Sequence, residues 1–436
     1  MEDPDGYRYS PLAPQQLRLL RPIHSLDPDD LRFEIRHISR RAAQRYTAVS
    51  YTWGDQQPTE IIRLNGKLFN VRPNLLSCLY YLSKARHEAD LGWDWLWVDA
   101  ICMNQQDDKE KSEQVGLMDK TYANAQMVSL WLGLSPSQEE PNNGDQGVIF
   151  EDEPFDWYDQ LEEVLNRPYW SRFWAIQEFL LAHEIHCHCS SNITNSEHLY
   201  KLLTSEAEAF SADTVMNEDL HMLLVTAVKK YAAASLILAH ERDMFPKRDP
   251  GPSLYDLLIR HRRAKCKDPR DRVFALLGLL GEREHALLSR LLPNYALSAD
   301  QVVVIALAHL LNHRWYDHVE ITVDSDDIFE ALGVEGGRAV RKHMLTRARR
   351  FGYHDDWASL DVARTMALQE LLVVTDPGAF DDDSDDLMDI RRVDRHVVGS
   401  ADGRSRGGPI LKSLGVVAFL AVAGALAVRY LRTKRV

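Results

Sequence analysis

The chain has 436 residues, 45% of them hydrophobic and 27% charged, with a formal net charge of −14. This is a globular composition with room for two or three cored domains, and it excludes a disordered protein. The acidic balance, with no basic patch interleaved with aromatics, speaks against a general nucleic-acid binder.

Residues 1–45 read as a lead-in. "YTAVSYTWGD", Tyr46 to Asp55, then opens the first domain: Tyr46 to Tyr51 is rich in β-branched and aromatic residues and predicts a strand, and Gly54 beside Asp55 supplies the turn signal. In a sheet with helical crossovers such a strand-to-loop corner is where ligands bind, and a plain structural turn explains it equally well. "IIRLNGKLFNV", Ile61 to Val71, predicts a hairpin turning at Asn65-Gly66, and a helix after Pro73 places Leu75, Leu79 and Leu82 on one face.

"WLWVDAI", Trp95 to Ile101, is a continuous apolar run of strand length, interrupted by Asp99 near its end, of the type a buried parallel sheet requires. A helix capped by Asp108 puts Val115, Met118, Tyr122 and Ala125 at helical spacing, and "MVSLWLG" from Met127 returns as a strand. Strand, helix and strand make a crossover unit, so a mostly parallel sheet with helices on both faces is expected. Leu134 to Gly147 reads as a long loop inside this domain.

"AHEIHCHCSS", Ala182 to Ser191, crowds His183, His186, Cys187, His188 and Cys189 together. Strand alternation sends His186 and His188 to one face and the two cysteines to the other, so a strand with buried cysteines is expected rather than a zinc site. The cysteines, completed by Cys78, Cys102 and Cys266, fit no disulfide framework, and the N-terminus has no apolar signal core. A reducing, cytosolic environment is expected, in which the sequon Asn192-Ile193-Thr194 stays unmodified.

From about residue 183 to 375 the pattern is mainly helical, with long periodic segments at "LHMLLVTAVKKYAAASLILAH" and "ADQVVVIALAHLLNH" and a helix start at Asp268-Pro269 with Asp271. Residues 376–411 form an acidic and then Gly/Ser-rich linker. Within 412–431, Ser413 to Val428 carries no charge and is flanked by basic residues on both sides. At about 1.5 Å per residue it covers roughly 24 Å, which reaches across a bilayer with help from Ile410, Leu411, Tyr430, Leu431 and snorkelling cations. A tail anchor with the body facing the cytosol is expected, an apolar core helix being the other reading.

"YTAVSYTWGD", "LWVDAICMNQQDDKEKSEQVGLMDKTYANAQMVSLWLG" and "RPYWSRFWAIQEFLLA" together resemble the three signature blocks of the heterokaryon incompatibility (HET) domain of filamentous fungi, over Tyr46 to Ala182. Met103 and Lys111 are small departures from that pattern, and "KDPRDRVFALLGLL" resembles a block that often follows the domain. The resemblance implies a role in allorecognition or immune-like signalling that ends in programmed cell death. HET domains are in turn similar in layout to TIR domains, some of which cleave NAD with a glutamate in a Trp-x-x-x-Glu helix. "WAIQEF" places Trp174 and Glu178 in that arrangement, so NAD or NADP is the implied substrate, with no other cofactor.

Read from the residues alone, Glu178 has Trp174, Ala175, Leu181 and Ala182 as same-face helical neighbours, so no local ion pair accounts for it. A carboxylate beside an indole has its charged form disfavoured and suits acid/base work or stabilisation of a ribosyl cation. A structural glutamate held by backbone N–H groups or by a tertiary arginine is the competing reading. Asp55 and Asp99 are candidates for binding ribose hydroxyls, Asn104 and Gln105 for hydrogen-bonding a base or ribose, and Trp53 for stacking; each has a plain structural alternative.

Two classes of function remain. One is a membrane-tethered NAD(P) glycohydrolase of the cell-death type. The other is a non-enzymatic assembly module that acts by self-association or by recruiting a HET or other death-signalling protein, with no nucleic-acid partner. A membrane surface serves both by concentrating the domain.

Overall fold

The computed structural model describes residues 6–23, 30–42, 44–88, 95–135, 156–157, 160–198, 251–311 and 320–351. The sheet expected from the alternating pattern is present and carries nine strands among these residues, in the order β5-β4-β2-β1-β6-β3-β7-β8-β9. The strands are β1 Gln16–Ile23, β2 Arg32–Ser39, β3 Thr47–Tyr51, β4 Glu60–Leu64, β5 Lys67–Val71, β6 Leu96–Val98, β7 Met127–Trp131, β8 Ile185–Cys189 and β9 Asn192–Asn195.

The sheet is mixed, whereas a mostly parallel one is expected from sequence. β6, β3, β7 and β8 run parallel and form its centre. β1 joins that block antiparallel to β6, and β9 closes the other edge antiparallel to β8. The short links between β1 and β2, β4 and β5, and β8 and β9 permit only antiparallel neighbours, and β2 pairs parallel with β4 outside the central block. β3 and β7 are buried along all five of their residues, as strands covered on both faces must be. The sheet extends beyond 46–182 on both sides, since β1 and β2 precede that range and β8 and β9 follow it.

Several local expectations hold. The hairpin turns at Asn65 and Gly66 with φ of 49° and 82°, the doubly positive geometry that suits a two-residue turn. Helix α1, Pro73–Glu88, buries Leu75, Leu79 and Leu82. Val115, Met118, Tyr122 and Ala125 are all buried.

Others are corrected. The strand expected over Trp95 to Ile101 spans only Leu96–Val98, and Asp99 opens the short helix α2, Asp99–Cys102. The following helix is capped by Asp107, whose side chain accepts from the Lys109 and Glu110 amides, not by Asp108. It also breaks near Gly116 into α3, Asp108–Val115, and α4, Met118–Ala123.

Chain order β3, β6, β7, β8 against spatial order β6-β3-β7-β8 makes β3 the switch strand of a doubly wound sheet, and the crevice at the carboxyl ends of β3 and β7 is where such sheets bind ligands. Two links converge there. The Asn74 side chain donates to the Thr52 carbonyl at 2.6 Å and accepts from the Trp131 indole at 2.9 Å, stitching the first turn of α1 to the ends of β3 and β7.

A helical body packs on the domain through residues 251–351. Its helix Ala299–Leu310 begins in a capping box at Ser298 and Gln301 and is buried along ten residues, as its apolar periodicity requires. The expected start at Asp268-Pro269 yields a short helix, Asp271–Phe274, with Asp268 accepting from the Arg270 amide and guanidinium. Among the described residues no helix is long and apolar enough to cross a membrane. The segment from Leu220 to His240, the linker 376–411 and the apolar stretch Ser413 to Val428 lie outside the described residues.

Candidate functional site

Glu178 lies in the helix Phe173–Leu180, of which every residue except Trp174 is buried. Glu178 itself is 1% exposed, so its charge demands compensation. The compensation comes from Arg172, the residue that precedes the helix in extended backbone (φ −73°, ψ 136°). Its two guanidinium nitrogens donate to the two carboxylate oxygens at 3.1 and 3.3 Å. The Ser50 hydroxyl, on β3, donates to the same carboxylate and is 2.8 Å from the Tyr169 hydroxyl. No same-face helical neighbour pairs with Glu178, as expected; the partner is an arginine, as in the competing structural reading, six residues away and outside the helix, where the i±3 and i±4 search does not look.

Asp99 approaches the same cluster from β6. Val98 pairs with Val49 in the parallel ladder, so the next residues along, Asp99 and Ser50, are neighbours across the strands. Asp99 is 8% exposed, accepts the Trp53 indole N–H at 2.9 Å and the Ala100 amide at 2.7 Å. Burial first, and then the charge of Glu178, push its pKa up to about 7 against the pull of Arg172 and of the two hydrogen bonds. Burial alone would lower the pKa of Arg172, and the charges of Glu178, Tyr169 and Asp99 override it and raise it. The arrangement is one carboxylate held by a guanidinium and a second, Asp99, held by an indole N–H and a backbone amide within reach of their charges, its pKa pushed up to about 7.

The other candidates divide. Trp53 joins the cluster through Asp99, beside Gly54, whose φ of 72° turns the corner and favours glycine. Asp55 is exposed and makes no hydrogen bond or ion pair among the described residues, so it stands outside the cluster. Gln105 donates to the Asp99 carbonyl at 2.9 Å, and the Asn104 side chain accepts from the Gln106 amide at 3.2 Å, so both satisfy the local backbone. Trp174 is turned away from the cluster: its indole N–H donates to Asp271 at 2.9 Å, and the same carboxylate accepts from Tyr295 at 2.7 Å.

Three residues of the cluster, Arg172, Ser50 and Tyr169, were not among the sequence candidates. Arg172 and Tyr169 stand in the same block as Glu178, and only the bend before the helix brings them onto it. A second buried pair holds the neighbouring block: Arg18 on β1 donates to both Glu110 oxygens at 2.6 and 2.9 Å and to the Cys102 carbonyl at 3.1 Å.

The helical body meets the site's helix directly. The Phe173 amide donates to the Lys265 carbonyl at 2.8 Å, and the Tyr295 amide to the Ser112 hydroxyl at 3.0 Å. Gly278 lies so close that a Cβ there would stand 2.4 Å from the Asp119 Cβ and 2.8 Å from the end of the Gln177 side-chain amide. A cavity of about 60 Å³ lies along this contact, lined among others by Asp119, Gln177 and His285.

The strand β8 places His186 and His188 opposite Cys187 and Cys189 in alternation, and no cluster of His, Cys, Asp or Glu able to hold a metal occurs among the described residues. Burial, with His186 nearby, holds His188 down at about 3. All five cysteines are free.

Residues 46–178 match the family model "Heterokaryon incompatibility protein (HET)". The chain is also 24% identical over 303 residues to heterokaryon incompatibility protein 6, OR allele, of Neurospora crassa, an alignment covering 55% of this chain and 43% of that protein. It thus spans less than half the length of that relative. No solved structure matches the chain. The matched range contains Ser50, Trp53, Asp99, Tyr169, Arg172 and Glu178, so residues 46–178 of the chain are similar to a HET domain.

Proposed function

We propose that this protein is an effector of fungal heterokaryon incompatibility, acting in allorecognition or an immune-like programmed cell death, and that its HET domain does so by hydrolysing NAD or NADP. The family match and the Neurospora relative support the incompatibility role. The observation that carries the chemistry is the buried Arg172–Glu178 pair beside β3, with Asp99 at the end of the neighbouring strand raised to a pKa of about 7 by burial and by the charge of Glu178.

In such a hydrolysis the bond between ribose C1′ and the nicotinamide nitrogen breaks, and its electron pair leaves with the ring, which becomes neutral. Water adds to C1′ and loses one proton. Asp99, once deprotonated, takes that proton. Glu178 supplies negative potential toward the ribosyl cation, moderated by Arg172. The TIR-type layout with Trp174 as partner of the glutamate does not enter, because the Trp174 indole is committed to Asp271.

A second reading rests on a specific observation. Glu178 is already gripped by Arg172 and Ser50, as a structural carboxylate would be. In that reading the domain is an assembly module that signals by forming homo-oligomers or by recruiting a death-signalling partner. In both, the apolar stretch Ser413 to Val428 with its basic flanks holds the protein on an intracellular membrane with the body in the cytosol.

The test is turnover by the full-length chain gathered on liposomes, with NAD and NADP followed by chromatography beside Asp99→Asn and Glu178→Gln. Nicotinamide release by the wild type that both variants lose supports the hydrolase. A folded, membrane-clustered wild type that leaves both dinucleotides intact ends that reading and leaves the assembly module.

A further inference from the structure

Arg72 stands between β5 and α1, and its carbonyl accepts the Leu75 and Leu76 amides at 3.0 Å, so the start of the helix fixes its backbone. Its Nε donates to the Gln56 carbonyl at 3.0 Å, and its guanidinium lies over the Trp53 ring, 5.1 Å from the centroid. Neither terminal nitrogen makes a hydrogen bond and no carboxylate pairs with it among the described residues. Other arginines near the site are committed: Arg18 to Glu110, Arg172 to Glu178.

The Trp53 indole therefore carries a guanidinium on its face and spends its N–H on Asp99. A cation with an open donor fork and an acidic acceptor are held one aromatic ring apart, beside the Thr52 carbonyl that Asn74 ties to the end of β7. A planar fork braced on an aromatic face recognises phosphate oxygens in pairs, and a carboxylate one ring away suits sugar hydroxyls.

We infer that Arg72, braced on Trp53, is the phosphate-binding residue of the HET-domain site and takes the phosphate of a nucleotide whose ribose lies toward Asp99. This rests on the nucleotide reading proposed above and adds a ligand class and a residue to it. A phosphate here meets a full positive charge and two parallel N–H donors, and because the corner is partly open its affinity falls as salt rises.

The test is calorimetric titration of the full-length chain with ADP-ribose and with adenosine as probes. The wild type is expected to bind ADP-ribose more tightly than adenosine. Arg72→Gln should weaken ADP-ribose by about tenfold or more, as loss of a charge-assisted pair of hydrogen bonds requires, and leave adenosine unchanged. Arg72→Lys should recover part of the loss, since it restores the charge without the fork. Near-ultraviolet circular dichroism of each variant confirms that the fold is intact.

Equal affinities for the two probes, or ADP-ribose binding by Arg72→Gln equal to wild type, would overturn the assignment. The two proposals separate cleanly. Arg72-dependent ADP-ribose binding without NAD turnover keeps the phosphate site and ends the hydrolase, whereas NAD turnover with an unchanged KM in Arg72→Gln ends the phosphate site and keeps the hydrolase. A folded wild type that neither binds ADP-ribose nor turns over NAD ends both.

Discussion

Arg172 holds Glu178 through both guanidinium nitrogens, at 3.1 and 3.3 Å, across the start of the helix that carries the glutamate. The contact closes a six-residue loop, so the orientation of the helix and the neutralisation of its buried carboxylate are one event.

Removing one member of that pair should cost far more than removing both. Arg172→Met leaves a carboxylate 1% exposed without its cation, and a loss of about 3–5 kcal/mol is expected. The double variant Arg172→Met/Glu178→Leu should recover much of it. Urea denaturation of the four proteins in a double-mutant cycle measures the coupling; additive effects would show that the pair does not hold the helix.

Asp99 predicts a slope in the pH dependence of stability. Its folded pKa of about 7 lies above the unfolded value near 3.9. Between those values the folded state binds the extra proton, so the stability gained from the protonated form is complete below about pH 4 and declines as pH rises to about 7. Asp99→Asn should flatten this limb, and the difference between variant and wild-type unfolding free energies, measured from pH 4 to 8, checks it. An unchanged slope in the variant would remove Asp99 as its source. Asp271, also raised by burial, adds a slope of the same sign that the comparison leaves in place.

Gly278 tests the contact between the helical body and the site. In Gly278→Ala the new Cβ meets the Asp119 Cβ at 2.4 Å, and relief requires the 3₁₀ turn Leu277–Leu279 to move from α4. A destabilisation of about 1–3 kcal/mol is expected from overpacking. Thermal unfolding checks it, and a wild-type melting temperature would mean that the two parts do not pack this closely.

Trp174→Phe keeps the ring and deletes the donor to Asp271. A loss of about 1–2 kcal/mol is expected, since the carboxylate keeps Tyr295 but loses one charge-assisted bond. If NAD turnover is found, this variant should keep the wild-type kcat at temperatures where it remains folded, because the Trp174 indole N–H is spent on Asp271 and not on the Glu178 cluster. A kcat that fell as far as that of Glu178→Gln would return Trp174 to the reacting centre.

Much of the fold was legible in local chemistry. β3, the Asn65-Gly66 hairpin, β7, β8 and the helix over Ala299–Leu310 were readable because each is set by contacts a few residues apart: a twofold or 3.6-residue apolar period, or a turn that needs two positive φ values. The apolar run from Trp95 was misread at its end, because hydrophobicity alone does not distinguish the last turn of a strand from a short buried helix. The sheet's antiparallel edges were missed because pairing partners such as β1 and β6 are separated by some 75 residues, and nothing local encodes which strands meet.

The site shows the same division. Local chemistry makes the residue types readable: two acidic side chains at strand and helix ends, an indole in a glycine-turned corner, and three blocks that resemble those of the HET domain in order. Which of them meet is set by the packing of distant segments. Ser50 reaches Glu178 from β3, whose parallel neighbour β6 leads into Asp99; Arg172 reaches it because the chain bends before the helix, and Asp55 is left outside. Trp174, at perfect helical spacing from Glu178, is drawn instead to Asp271 almost a hundred residues on. Helical period fixes the face a side chain occupies, but a buried charge takes whichever partner the packed fold brings within hydrogen-bonding distance, and that choice is made only when distant segments assemble.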